Sequence, residues 1–254
     1  MVDSIDRFSS RVENYAKFRP TYPQVVIDLL KADCELRADS LVADVGSGTG
    51  ILSEMLLRNG NTVFGVEPNP QMRSSAEQLL SNYRQFKSID GTAEATKLDS
   101  HSIDIITAAQ AFHWFDQTRA RVEFARILKR NGWVALIWNE RRLDSTPFLR
   151  AFEQLLLRYG TDYQKVRHEN VTGQIADFFA PQLFRQKSYE NTQMFDFEGL
   201  MGRVLSASYT PEPDHPSFKP MIALLTDLFE THQHGGTIAF EYDTRIYYGQ
   251  LSAT

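Results

Sequence analysis

The chain has 254 residues, 42% of them hydrophobic, enough to bury the core of one large α/β domain or two small ones. A net charge of −5 leaves no overall positive field to draw nucleic acid, which argues against a nucleic-acid partner. One cysteine (Cys34), no apolar signal core in MVDSIDRFSS, and no apolar run longer than WVALIW (133–138) predict a soluble cytoplasmic protein without a disulfide or a membrane span.

Strand-like and helix-like runs alternate through the first half. LVADVG (41–46) reads as a strand that stops at glycine, and ILSEMLLRNG as a helix with Leu52, Met55, Leu56 and Asn59 on one face and Gly60 as its stop. TVFGVEPN (62–69) predicts a second strand and PQMRSSAEQLLSNY a second helix opened by Pro70. YRQFKSIDGTAE offers a third strand and SIDIITAAQ (102–110) a fourth. RARVEFARILKR (119–130) predicts a helix that leaves at Asn131-Gly132, and WVALIWN (133–139) a fifth strand. Such unbroken apolar strands suit a parallel sheet covered on both faces.

Past Asn139 the pattern changes. Ser145-Thr146-Pro147 opens a helix, FLRAFEQLLLRYG, that Gly160 stops. A loop-rich region follows, then a strand at 184–197, a short helix at 198–209 and a helix from Pro216 to Gly235. The last strand alternates, with Ile238, Phe240 and Tyr242 on one face and Ala239, Glu241 and Asp243 on the other. The expected fold is α/β: a doubly wound, Rossmann-like sheet of seven mostly parallel strands with an antiparallel edge strand, helices on both faces, and helical insertions after the fifth strand.

The chemistry concentrates in VADVGSGTG (42–50). A strand that ends in glycines and opens into a helix lets backbone N–H groups approach a ligand. A dinucleotide loop would place a third close-packing glycine at position 51, where Ile51 stands. Glu67, at the end of the second strand, can accept from both hydroxyls of a ribose and would repel a 2′-phosphate. It leaves NAD and other adenosine ligands both open.

Asp44, Gly46, Gly48 and Gly50 as D-x-G-x-G-x-G, followed by Glu67, resemble motifs I and II of class I S-adenosylmethionine-dependent methyltransferases. GTAEATKLDSHSIDIITAAQAFHWFD resembles the next two motifs. YAKFRPTYP and AFHWFD together resemble the small-molecule branch that includes trans-aconitate-type methyltransferases, and the likeness covers roughly residues 8–140. The resemblance implies S-adenosylmethionine as cofactor. The loop from Gly46 through Ser47 and Gly48 to Gly50 would lie along its methionyl part, with Glu67 on the ribose and Pro68 bordering the adenine. Ala93 and Glu94 would stand at the adenine edge and Gln110 at the methionyl backbone. Many relatives carry an acid where Thr92 stands, so here the adenine amino group would be met by the Thr92 hydroxyl or by backbone. The alternation of elements along the chain is read as one domain over 1–254. In it, residues 1–40 are expected to form an arm and helix over the cofactor site, 41–139 the cofactor-binding core, 140–236 the substrate-side insertions with the sixth strand, and 237–250 the final strand.

In the arm, Pro20 and Pro23 stiffen the path. Arg19 is a candidate partner for the cofactor carboxylate, and Tyr15 and Tyr22 for a wall near the sulfonium. His113, just past the fourth strand, is the candidate general base, although a carboxylate acceptor would need none. Trp114 and Trp138 are candidate aromatic walls. Arg141, with Arg142, is a candidate receiver of an anionic acceptor, and Ser208 and Tyr209 are candidate selectivity residues in the insertions. His232-x-His234 supplies too few ligands for a metal site. The expected function is methyl transfer by direct displacement to a small-molecule acceptor, organic acids among the candidates. The rivals are a non-catalytic cofactor-binding regulator and an NAD-dependent oxidoreductase, the latter disfavoured by Ile51.

Overall fold

The computed structural model describes residues 17–163 and 171–251. One seven-stranded sheet is built from β1 (Leu41–Val45), β2 (Thr62–Val66), β3 (Phe86–Ile89), β4 (Ile103–Ala109), β5 (Leu128–Arg141), β6 (Phe184–Phe195) and β7 (Ile238–Gln250), in the order β3-β2-β1-β4-β5-β7-β6. β3, β2, β1, β4 and β5 pair in parallel, whereas β7 lies antiparallel between β5 and β6. The order turns outward in opposite directions from β1 and β4, which opens a crevice at their carboxyl ends, where such folds bind ligands.

Alternation along the strands divides the core between two faces. Val45, Ile106, Val134 and Leu136 point to one side, where Phe124 and Ile127 of helix α4 (Gln117–Ile127) pack. Val42, Ile105, Ala135 and Ile137 point to the other, covered by helices α1 (Val25–Asp33) and α2 (Ile51–Arg58) through Val26, Leu30, Leu52 and Leu56. Both sides being covered is why these strands carry almost no polar residues. Cys34 is buried on the α1 side, and burial, with Asp33 beside it, pushes its thiol up to about 12. Helix α3 (Pro70–Leu79) starts as its proline predicts, with the Asn69 side chain accepting from Gln71 N and Met72 N.

A third cluster lies beyond the parallel strands. β6 and β7 pair from Phe184↔Gly249 to Phe195↔Ile238, past the point where β5 ends opposite Tyr242. Helices α5 (Pro147–Tyr159), α7 (Phe197–Leu205) and α8 (Phe218–His232) pack on this extension through Phe152, Leu200, Leu225 and Phe240. The Thr146 hydroxyl caps α5 by accepting from Leu149 N, and Asp196 caps α7 by accepting from Gly199 N.

Two sequence expectations are corrected. The helix expected to run to 130 ends at Ile127, because Leu128 is drawn into β5 opposite Ile103. Asn131, at φ +68°, then turns the chain before Trp133 resumes the ladder opposite Ile105. The region read as loop-rich contains helix α6 (Val171–Phe179), whose Ile175, Phe178 and Phe179 are buried in the α4-side core. No described helix is long and apolar enough to cross a membrane.

Candidate functional site

The loop between β1 and α2 depends on backbone that side chains disfavour. Gly46, Gly48 and Gly50 have φ of +70°, +56° and +87°. A Cβ on Gly46 would sit 2.5 Å from the Cβ of Ala111, so the close approach of the loop to the end of β4 also requires glycine there. Gly46 N and Ser47 N both donate to Val66 O, at 2.8 and 3.2 Å, which ties the loop to β2. The resulting notch is lined by Tyr22, Gly46, Ser47, Gly48 and Thr49. The Thr49 hydroxyl, which the sequence did not single out, is buried there with no hydrogen-bond partner.

Two buried acids flank the loop. Asp44 accepts from the hydroxyls of Ser53 at 2.6 Å and Thr107 at 2.9 Å, and burial pushes it up to about 6. Its two carboxylate oxygens brace β1 to α2 and to β4, and Asp44 also lines the notch. Glu67 accepts from Gly48 N through Oε2 and from Asn69 N through Oε1, both at 2.9 Å. Burial raises its pKa, and each oxygen keeps acceptor capacity for a hydroxyl group.

On the adenine side Arg73 donates to Glu67 O at 2.8 Å and Pro68 O at 3.1 Å, and pairs with Asp90. Thr92 is exposed, its N–H donates to Ala95 O and its own carbonyl accepts from Ala95 N in a tight turn, which leaves the Thr92 hydroxyl and the second lone pair of that carbonyl as acceptors for an amino group. Ala93 is buried, and Glu94 accepts from Asp116 N at 2.8 Å, at the start of α4. Glu123 holds this loop from α4 by accepting from Thr96 N at 2.8 Å and Thr96 Oγ1 at 2.5 Å. The hydrogen bond from Arg126 lowers its pKa to about 2 despite burial. Arg73 and Glu123 escaped the sequence reading because each acts through a partner that no local motif announces.

At the end of β4, Gln110 adopts φ +55°, a strained conformation for a non-glycine residue, and its Nε2 donates to Asn139 O at 3.0 Å. His113 is half-buried with its ring 4.8 Å from that of Trp114, which is 40% exposed at the mouth. Trp138 is a correction. It is only 2% exposed, edge-on to Phe112 and Tyr247 in the core, because both faces of β5 are covered; it is no acceptor wall. Tyr22 is buried against the glycine loop rather than on the insertion side, and Arg19 Nη2 donates to Ser206 O at 3.0 Å. Tyr15 lies outside the described residues.

The insertion side gathers a second group. Arg141 forms a buried ion pair with Glu153 and donates to Tyr163 Oη at 2.9 Å, while its Nη1 is buried without a hydrogen-bond partner. Its Nη2 is thus committed to Glu153 and Tyr163, which leaves Nη1 as the group with capacity for an anionic acceptor. The Tyr163 ring meets that of Tyr209 edge-on at 4.9 Å, and Tyr209 O accepts from Thr161 N. Tyr242, directly opposite Arg141 in the ladder, accepts from Arg203 Nε at 3.3 Å, and neither Tyr242 nor Arg203 was foreseen. Ser208 is half-buried nearby in sequence. Arg142 is tied to Asp243 and Glu190 across β7 and β6, a sheet contact and no receiver of an acceptor. Glu67 and Tyr22 thus lie against the glycine loop, with Gln110 at the end of β4, while Arg141, Tyr163 and Tyr209 form a second cluster on the insertion side.

Comparison with known proteins gives a consistent picture. Residues 43–136 match the family described as methyltransferase domain. An uncharacterized methyltransferase of Mycobacterium tuberculosis is 40% identical over 134 residues, covering 53% of this chain and 52% of that protein. An uncharacterized methyltransferase-like protein of Schizosaccharomyces pombe is 30% identical over 168 residues, covering 64% and 63%. The chain spans about half the length of the mycobacterial relatives it matches. Among solved structures, a protein of Anaeromyxobacter dehalogenans provisionally described as a type II methyltransferase aligns with a TM-score of 0.67 at 20% identity, covering 92% of this chain and 98% of that one. A Geobacter sulfurreducens SAM-dependent methyltransferase in complex with S-adenosylhomocysteine aligns at 0.53 and 15% identity, covering 99% and 100%. At these identities the structural likeness speaks for the fold.

Proposed function

We propose that this chain, whose residues 43–136 match the methyltransferase-domain family, is a class I S-adenosylmethionine-dependent methyltransferase that transfers the cofactor's methyl group to a small organic acid. The observation that carries the cofactor half of this reading is the glycine loop set beside Glu67. The left-handed glycines, the buried unpartnered Thr49 hydroxyl and the remaining acceptor capacity of Glu67 all fit an adenosine ligand with a polar tail. When bound, S-adenosylmethionine supplies a methyl group already activated by the sulfonium.

The work left to the protein is binding and alignment, which can be worth several orders of magnitude in rate. Glu67 accepts from the ribose, and the loop N–H groups and Gln110 hold the polar tail. Arg19 completes the charge balance at the cofactor carboxylate, and Tyr22 and Trp114 keep water from the transfer path. Support for an acid acceptor comes from Arg141 and Arg203 on either side of Tyr242. A carboxylate reacts as the anion, so His113 is not required to take a proton.

Thermal unfolding with S-adenosylmethionine, S-adenosylhomocysteine, NAD and NADP tests the cofactor. The first two, at about 100 times Kd, should stabilise by roughly 2.7 kcal/mol, a rise of about 5–10 °C in Tm. A rise with NAD alone would overturn the reading. The acceptor class is tested with methyl-labelled S-adenosylmethionine and a panel of small carboxylic acids and amines. Label in amines and in no ester would remove the organic acid.

A further inference from the structure

The arm before α1 is held from three directions. Lys17 pairs with Glu198 at 2.9 Å, and the Phe18 ring fills the space beside Gly202 of α7, so closely that a Cβ there would fall 2.1 Å from it. Arg19 donates to Ser206 O, just past the end of the same helix. The third hold is on the arm's own backbone. Thr21 O accepts from Asn191 Nδ2 at 2.8 Å and from Asn139 Nδ2 at 3.3 Å. Asn139 is itself locked: its Oδ1 accepts from Thr244 Oγ1 at 2.6 Å and from Asn191 Nδ2 at 3.2 Å, and its backbone O accepts from Gln110 Nε2. A chain of hydrogen bonds thus runs from the ends of β4 and β5 through β6 and β7 to one carbonyl of the arm. The next residue, Tyr22, lies against the glycine loop.

We propose that Asn191 and Asn139 are positioning residues that set the arm, through the Thr21 carbonyl, against the cofactor loop. Neither is needed to explain the fold of the glycine loop, and Asn191 sits on the outermost strand, far along the chain from every cofactor candidate. Their amides do what the irregular stretch 19–23 requires: they pin the carbonyl before Tyr22, while Gln110 ties Asn139 to the end of β4. Holding a segment in its binding geometry before the ligand arrives lowers the cost of ordering it on binding. This inference rests on the cofactor reading above for the ligand, and on the arm geometry for the device.

The test uses Asn191→Asp, which keeps size but turns a carboxylate oxygen toward the Thr21 carbonyl, with Asn191→Ala as the milder variant should the first fail to fold. Calorimetry with S-adenosylhomocysteine should show about tenfold weaker binding, with the ligand-free Tm within a few degrees of the parent. Trypsin cleavage at Lys17–Phe18, read by mass spectrometry, should become faster. In the double variant with Phe18→Ala, which loosens the same arm from Gly202, the loss of affinity should be smaller than the product of the single losses, whereas damage to folding alone would multiply. Unchanged affinity and unchanged cleavage in both Asn191 variants overturn the proposal. If the parent binds no S-adenosylhomocysteine, the cofactor reading fails and the cleavage rates still decide whether Asn191 holds the arm.

Discussion

The glycine-loop site and the insertion cluster are built by different means. The first is made of backbone: left-handed glycines, strand termini in register and two buried acids that accept from neighbouring N–H and hydroxyl groups. The second is made of side chains: a buried Arg141–Glu153 pair, three tyrosines, and an apolar cluster that hangs on the overhanging part of β6 and β7. The first arrangement admits few substitutions and holds one ligand geometry. The second can change its lining while keeping its apolar cluster, as expected where a common donor meets a variable acceptor.

Gly46→Ala should break this contrast most severely. A left-handed Cβ costs about 1–2 kcal/mol and the clash with Ala111 about 1–3 more, so roughly 4 kcal/mol of stability and measurable S-adenosylhomocysteine binding should be lost. Hydrogen exchange should show the opening confined to the β1–α2 region; loss of protection in α5 and α8 as well would mean the two are not separable. Arg141→Ala is the reciprocal break. It leaves Glu153 buried beside Tyr163 and should cost about 3 kcal/mol in urea unfolding while S-adenosylhomocysteine affinity stays within about twofold. A parallel fall in cofactor affinity would count against the division.

Asp44 sharpens it through pH. Its folded pKa of about 6 lies above the ordinary value of 3.8, so the folded state takes up the proton first as pH falls. The burial penalty is present in full above pH 6, and Asp44 then contributes increasing stability as pH falls toward 4. Between pH 7 and pH 5 the gain should be about 1 kcal/mol, absent in Asp44→Asn. Equal pH slopes for the two proteins would show that Asp44 does not carry this shift. The smallest effect is expected of His113→Asn, about threefold in turnover with an unchanged pH profile between 6 and 8, since an acid acceptor arrives ionised. A collapse of the rate by two orders of magnitude would instead make His113 the base.

The same contrast explains what could be read in advance. The glycine loop, Glu67 and the run of strands along the chain are local or periodic: Val42 to Gly50 carries its own turn geometry, and unbroken apolar strands announce a doubly covered sheet. Trp138 was misplaced because alternation cannot distinguish a residue facing a second apolar layer from one facing a pocket. Helix α6 did leave a trace in the spacing of Ile175, Phe178 and Phe179, hidden by its short length and by Gly173 within it. Arg203 and Asn191 left none. Their partners, Tyr242 and the Thr21 carbonyl, lie 39 and 170 positions away, and polar residues that act across such distances look like ordinary surface in a linear reading.

The lone thiol has a practical side. A cysteine sealed behind α1, with its thiolate disfavoured as far as about 12, should stay silent toward maleimides while the protein is folded. The unaltered chain is then its own blank for site-directed labelling. A single cysteine introduced at Lys17 would carry a fluorophore or spin label without background, and the motion of the arm could be followed in a molecule otherwise untouched.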